Sequence, residues 1–263
     1  MGVLERIKER QRINRIIDTA VEYIVSQLQN NGLVSVYKTG TILTKDQVYN
    51  SDIDIAIVVE PGFDFSIVNE TNEYFDKKRA EVGEGYKIGV SAFGMDEITA
   101  PYNAKTNNPI TQLKLTYRML KALAHYGQLR WGRKLPLKSF VMDFSHENDS
   151  YFTPLEEAKN QIEYILAEFK KIRAGDYTNY RKLPKYCLVL IRCEAILEHN
   201  FKYDPLFHRL YDHMRHLGNH IIHRCMELRV KPDFSEKEAL NFCSEMETYI
   251  AECKKKIHAK LWR

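Results

Sequence analysis

Apolar residues recur at intervals of three and four near the start of the chain. Ile13, Ile16, Ile17, Ala20, Val21, Ile24 and Leu28 line one side of an otherwise charged stretch. That spacing predicts one long amphipathic helix over residues 3–30, closed by Asn30-Asn31-Gly32, residues that tolerate the left-handed conformation. The pattern then shortens. Leu33 to Tyr37 reads as a first strand, and Ile53 to Val59, apolar and β-branched, as a buried second one. Pro61-Gly62 breaks the chain. Ile67 to Arg79 reads as a helix and Tyr86 to Phe93 as a third strand. Asn108-Pro109 caps and opens a helix running to about His125. Gly127 stops it, and Gln128 to Trp131 makes a short last strand ended by Gly132.

The second half holds no strand-like run. Thr153-Pro-Leu-Glu156 is a capping box with proline in the first turn, and Gly175 ends the helix it opens. Pro184 starts a second helix through His199, Asp204-Pro205 a third to about Arg229. Ser235-Glu-Lys-Glu238, another capping box, starts a fourth that runs near the C-terminus. Long helices joined by short loops predict an antiparallel bundle. The polar stretch Phe144 to Tyr151 separates the halves, giving an α+β domain over 1–143, a mixed sheet flanked by helices, and an all-α helical bundle over 150–263.

Composition narrows the class. The chain has 263 residues, 44% apolar and 28% charged, the balance of a globular protein. A net charge of +4, from 39 basic and 35 acidic residues, does not by itself argue for nucleic acid. Cys187, Cys193, Cys225, Cys243 and Cys253 form an odd set without a Cys-x-x-Cys pair, all on helical segments, and read as reduced core thiols. The charged N-terminus is no signal peptide, position 6 lacks the Ser or Thr of a myristoylation signal, and no apolar run has membrane-spanning length. The expectation is a cytoplasmic protein with no membrane partner.

The chemistry concentrates between Tyr37 and Glu60. Strand alternation puts Asp52 and Asp54 on one face and Ile53, Ile55 and Ile57 on the other. Carboxylates about 7 Å apart along a strand repel each other unless a cation sits between them. Mg²⁺ commonly takes one or two carboxylates plus substrate phosphates. Upstream, the Thr39-Gly40-Thr41 turn lets backbone N–H groups approach a phosphate closely, and its hydroxyls add donors. Ser51 stands at the turn into the strand.

A Gly-Thr turn, ten residues, then Asp-Ile-Asp in an apolar strand resembles the polymerase-β-like nucleotidyltransferase superfamily. The order of parts is similar to the antibiotic (kanamycin-type) nucleotidyltransferases and their toxin–antitoxin relatives, where a mixed-sheet catalytic domain precedes a helical domain related to the HEPN fold. Leu129-Arg-Trp-Gly132 is similar to the strand that closes many of these domains. The resemblance implies transfer of a nucleoside monophosphate from a nucleoside triphosphate, ATP first, to a hydroxyl acceptor. It implies Asp52 and Asp54 as catalytic Mg²⁺ ligands, with a two-metal site open, and Thr39, Gly40, Thr41 and Ser51 as the nucleotide contacts. Lys171, in Phe169-Lys-Lys-Ile-Arg173, matches the lysine expected near the α-phosphate; alternatively these cations only complement a helix C-terminus. A small-molecule acceptor such as an antibiotic is favoured by layout, with RNA as the other choice, and the layout leaves room for a homodimer.

One expected part is missing. The family's third carboxylate falls on Gly89, and the neighbouring Ser91 is not acidic. Glu84 or Asp96 could fill the role from a strand end, the acceptor could need no protein base, or the domain could bind nucleotide without turnover, as a sensor or toxin–antitoxin protein. The run Asp212 to His223 adds two further readings. Arg215, four residues and His220 fit the short motif of HEPN ribonucleases, and His213, His216, His220 and His223, on one helical face, could hold a transition metal. A polar stripe on the bundle is the plain alternative. The basic and aromatic stretch Tyr177 to Tyr186 reads either as an RNA contact or as a solvated loop.

Overall fold

The stripe of the first segment folds as helix α1 (Val3–Leu28), with Ile13, Ile16, Ile17, Ala20, Val21, Ile24 and Leu28 all buried. Fully burying an isoleucine contributes about 2 kcal/mol, so this row is the main tie between α1 and the sheet. The structure, a computed structural model, describes residues 3–48, 51–99, 123–138, 154–259 and 261–262. It divides into two compact units, residues 1–145 and 146–263.

In the first unit β1 (Leu33–Thr39), β2 (Ile53–Val59), β3 (Ile88–Gly94) and β4 (Gln128–Gly132) form a mixed sheet in the order β3-β2-β1-β4. β1 runs antiparallel to β2 and β4, and β2 runs parallel to β3. The parallel pair needs a crossover, supplied by α2 (Ser66–Lys77), and the short helix α3 (Met95–Thr99) follows β3. Asn72 of α2 seals the outer edge of β3: its amide donates to Val90 O at 3.0 Å and accepts from Val90 N–H at 2.7 Å. Those groups would otherwise be open to another strand. β2, the most apolar strand, is interior. Its Ile53, Ile55, Ile57 and Val59 pack with α1 and α2, while Ala56 and Val58 face a smaller cluster with Tyr37, Phe93, Leu135 and Leu137. The third strand begins at Ile88, not Tyr86, because the Tyr86 N–H donates to Gly83 O in a turn at 2.7 Å, while its hydroxyl reaches Glu9 of α1. Of the helix expected from Pro109, only residues 123–126 are described, and they are helical. The stretch 139–153 lies outside the described residues.

The second unit is helical: α4 (Pro154–Arg173), α5 (Leu183–Glu198), α6 (Phe207–Met214), α7 (Ile222–Val230) and α8 (Glu236–His258). Among the described residues no helix is long and apolar enough to cross a membrane. The Ser235–Glu238 capping box forms with both of its hydrogen bonds. All five cysteines are buried thiols; burial pushes the Cys253 thiol up to about 12.

The single helix expected from Pro205 to Arg229 is two. The chain leaves helical form between Met214 and Ile222, at Leu217-Gly218-Asn219. Gly and Asn are poor helix formers, and two histidines take over the backbone groups freed there. His220 Nδ1 accepts the Ile222 N–H at 3.1 Å, and His223 Nε2 lies 3.0 Å from Leu217 O, a local competition with helical bonding. The one-face row of His213, His216, His220 and His223 is therefore corrected. His213 Nε2 bonds the His199 carbonyl and His216 Nδ1 the His213 carbonyl, so the four rings serve separate backbone groups.

At the centre of this unit the buried Glu194 accepts from His220 Nε2 at 2.9 Å and from the Tyr249 hydroxyl at 2.5 Å, with Lys256 Nζ 3.5 Å from its other oxygen. Burial alone would raise its pKa, but the hydrogen bonds from His220 and Tyr249 and the nearby Lys256 hold it below the usual carboxylate value. A carboxyl more acidic folded than unfolded stabilises the fold above its unfolded pKa, and that contribution is lost as pH falls through the folded value. Glu194→Gln is expected to cost about 3 kcal/mol at pH 7 and markedly less at pH 3, as read by urea unfolding at both pH values.

Candidate functional site

Three strands place one residue each in a row across one face of the sheet, at the uncovered end where β2 begins. Thr39 of β1 pairs with Asp54 of β2, and Asp54 pairs with Gly89 of β3. Side chains in register point to the same face, so a hydroxyl, a carboxylate and an empty position lie side by side. Asp52 precedes β2 by one residue and shares the parity of Asp54. Both aspartates are exposed while Ile53 between them is buried, the alternation expected of the pair. The oxygens are hard donors at a solvated strand end, a set that suits Mg²⁺.

The turn after β1 is pressed against this row. Gly40 has φ +71°, and a Cβ placed on it would sit 2.1 Å from Asp54 Oδ2 and 2.9 Å from Asp54 Cβ. Only glycine fits, for backbone conformation and for space. The chain then winds back on itself. Thr41 O accepts from the Thr44 N–H at 3.1 Å and the Thr44 hydroxyl at 2.5 Å, Leu43 N–H donates to Gln47 Oε1 at 2.9 Å, and Val48 N–H donates to Ser51 Oγ at 2.8 Å. Ser51 is buried and ties the end of this loop to the start of β2. Thr39 and Gly40 thus lie beside Asp54, Thr41 follows them in the turn, and Ser51 closes the loop against Val48.

One residue of this site escaped the sequence reading. Lys38 is 1% exposed. It lies opposite Ile55 on the core face, and its Nζ donates to the carbonyl of Ile42 in the turn. Burial pushes its ammonium down to about 8, with Arg130 adding to the shift and Asp54 opposing it. The signal was present: Lys38 shares strand parity with Val36, a core residue.

The other expected residues are placed as follows. Lys171 stands in the last turn of α4, in the second unit, where it pairs with Glu168 at 2.7 Å; that hydrogen bond raises its pKa. Both substitutes for the third carboxylate are corrected. Glu84 is held by Arg12 Nε at 2.5 Å, on the α1 side of the sheet and away from the aspartate face. Asp96 follows the far end of β3, beyond Gly94, and the five steps from Gly89 to Gly94 span about 16 Å of strand. In the ribonuclease-like pair, His220 spends both nitrogens, accepting at Nδ1 from Ile222 N–H and donating from Nε2 to Glu194. Glu194, Glu198 and His199 bring ligand atoms within 4.8 Å of one another. Lys256 already bridges the two carboxylates, at 3.5 and 2.6 Å, and His220, Tyr249 and Trp262 donate to their other oxygens. A groove of about 830 Å³ between α4 and α8, floored by Ile162, Ile257 and Trp262, contains none of the expected site residues.

No family model matches the chain, and no curated protein sequence matches it. Among solved structures, the spectinomycin adenyltransferase AAD(9) from Enterococcus faecialis, with ATP and spectinomycin, aligns over 86% of this chain and 96% of its own with a TM-score of 0.51 and 13% identity. A mutant of the toxin–antitoxin pair MntA-HpeT aligns over 46% of this chain and 81% of its own with a TM-score of 0.28 and 18% identity, too loose a likeness to argue from. The likeness to the adenyltransferase is one of architecture, and it shows that this chain has the nucleotidyltransferase fold.

Proposed function

We propose that the chain is an Mg²⁺-dependent nucleotidyltransferase that moves a nucleoside monophosphate, AMP first, from its triphosphate to a hydroxyl of a small molecule. The observation that carries this reading is the contact between the Gly40 turn and the Asp54 carboxylate. It sets a glycine turn next to a carboxylate at the solvated end of an interior strand, which supports phosphate and metal binding side by side. Asp52 and Asp54 would hold the metal, which when bound supplies charge neutralisation of the triphosphate oxygens. Gly40 and Thr41 bring backbone N–H groups to the phosphates at close range, and the Thr39 hydroxyl stands beside Asp54 as a further donor. The acceptor hydroxyl attacks the α-phosphorus, a P–O bond to the acceptor forms, and pyrophosphate leaves. A lysine such as Lys171 near the α-phosphate belongs to this proposal through family resemblance alone. ATP and an antibiotic-like acceptor are suggested by what the architectural neighbour holds.

A second reading rests on Gly89. The described part of β3 sets no carboxylate beside Asp54, and a domain that binds nucleotide without turning it over would show the same feature. Labelled ATP, GTP, CTP and UTP, each incubated with a panel of antibiotics and with tRNA, separates the two. A labelled adduct on any acceptor supports the enzyme, and intact binding with no adduct supports the sensor.

Three variants test the geometry. Asp52→Asn with Asp54→Asn is expected to abolish Mg²⁺-dependent ATP binding in calorimetry, and binding equal to the parent's would count against the site. Gly40→Ala is expected to weaken ATP binding at least tenfold, since the methyl group meets Asp54 and the backbone is strained by about 1–2 kcal/mol. Gly89→Asp has room, because its Cβ would meet only Asp54 Oδ1 at 3.9 Å. Without metal the added charge should lower the melting temperature, and Mg²⁺ should raise it by more than it raises the parent's; an equal response in both proteins would argue against a metal at Asp54.

A further inference from the structure

The turn that carries the site is held in an unusual shape. Gly40 has φ +71° and Leu43 φ +62°. For a leucine the left-handed region is strained and persists only where its surroundings enforce it. Between these two residues Ile42 is fully buried, packed into the cluster under the sheet with α1. Its carbonyl cannot reach water there and needs a donor. That donor is Lys38 Nζ, from a side chain 1% exposed on the core face of β1. Burying a lysine among apolar residues is costly; methionine would fill the same volume without the charge.

We infer that Lys38 is a positioning residue for the nucleotide turn. Its ammonium clamps the Ile42 carbonyl from the core side, fixes the two left-handed residues on either side of it, and so presents the Gly40 and Thr41 backbone to a triphosphate beside Asp54. Ile42 is the apolar anchor of the turn and Lys38 its polar one. The functional part of this inference rests on the nucleotide reading above; the clamp itself does not.

The test is hydrogen exchange of the full chain without nucleotide, followed by Mg²⁺·ATP titration. In Lys38→Met the amides of Thr44 and Gln47, which donate within the turn at 3.1 and 3.3 Å, are expected to exchange at least tenfold faster. Ladder amides of Ile55 and Ile57 should keep the parent's rate, and Mg²⁺·ATP should bind at least tenfold more weakly. Lys38→Arg, which keeps a donor, should recover part of both losses. Where the methionine variant does not fold, Lys38→Gln, polar but too short to reach Ile42, gives the same readout. Unchanged exchange at Thr44 and Gln47 overturns the clamp. Equal acceleration of turn and ladder amides also overturns it, since that marks a residue that only holds the fold. Faster turn exchange with unaltered ATP affinity keeps the clamp and removes its role toward nucleotide. Failure of the parent to bind Mg²⁺·ATP removes the nucleotide reading, while the exchange rates still decide the clamp.

Discussion

The contact of the Gly40 backbone with the Asp54 carboxylate depends on no side chain standing at position 40. Any Cβ there would overlap Asp54 Oδ2, so the carboxylate would have to move or the turn would have to lift. Everything else in the first unit works to keep both in place. β2 is interior and pinned on both sides, by β1 and by β3, which fixes the height of Asp54. The turn is fixed by its own hydrogen bonds and by Ile42 reaching into the core. On the proposed reading, an exposed anion on an interior strand beside a hydrogen-bonded turn leaves little to reorganise when a ligand arrives, which is the condition for strong electrostatic binding.

The two faces of the sheet divide the labour. Ile53, Ile55, Ile57 and Val59 lock the strand to α1 and α2, and the same strand shows Asp54 to solvent at its beginning and Ala56 and Val58 to a second cluster further on. Period-two alternation lets one short strand carry a core and a site together. The second unit treats charge differently. Glu194 is buried and met by His220, Tyr249 and Lys256, so its polar groups are satisfied from within and join three segments of the bundle, α5, the turn before α7 and α8.

Much of this was legible in the chain because it follows from period and spacing. The stripe of α1, the apolar run of β2, the parity of Asp52 with Asp54 and the capping box at Ser235 are local patterns, and local sterics enforce them. What was not legible depends on partners distant in sequence. Glu84 reads as a spare acid until Arg12, seventy-two positions earlier, is seen to hold it. The break in the helix after Met214 is written in Leu217-Gly218-Asn219 only as a weakness. It becomes a break because His220 and His223 find backbone groups to bind, and a histidine-rich stretch offers several such choices. Lys38 is the reverse case. Its parity with Val36 was on the page, but a lysine near a strand end is more often solvated than buried, and only the chain folding back at Ile42 decides between them.

Gly89 bears on what chemistry the row can support. With Thr39 and Asp54 on neighbouring strands and no side chain at 89, the face beside Asp54 is open to an incoming group. A third carboxylate at that position would narrow this opening and add a second negative charge beside Asp54 Oδ1, which a Cβ at 89 would meet at 3.9 Å. Its absence therefore eases the unliganded fold and widens the approach, and leaves the described part of β3 with no proton acceptor beside Asp54. On the proposed reading, rate would then come from metal, turn and alignment more than from general base catalysis. An acceptor with an acidic or already polarised hydroxyl suits such a site better than a plain alcohol, because less of its proton transfer has to be done by the protein.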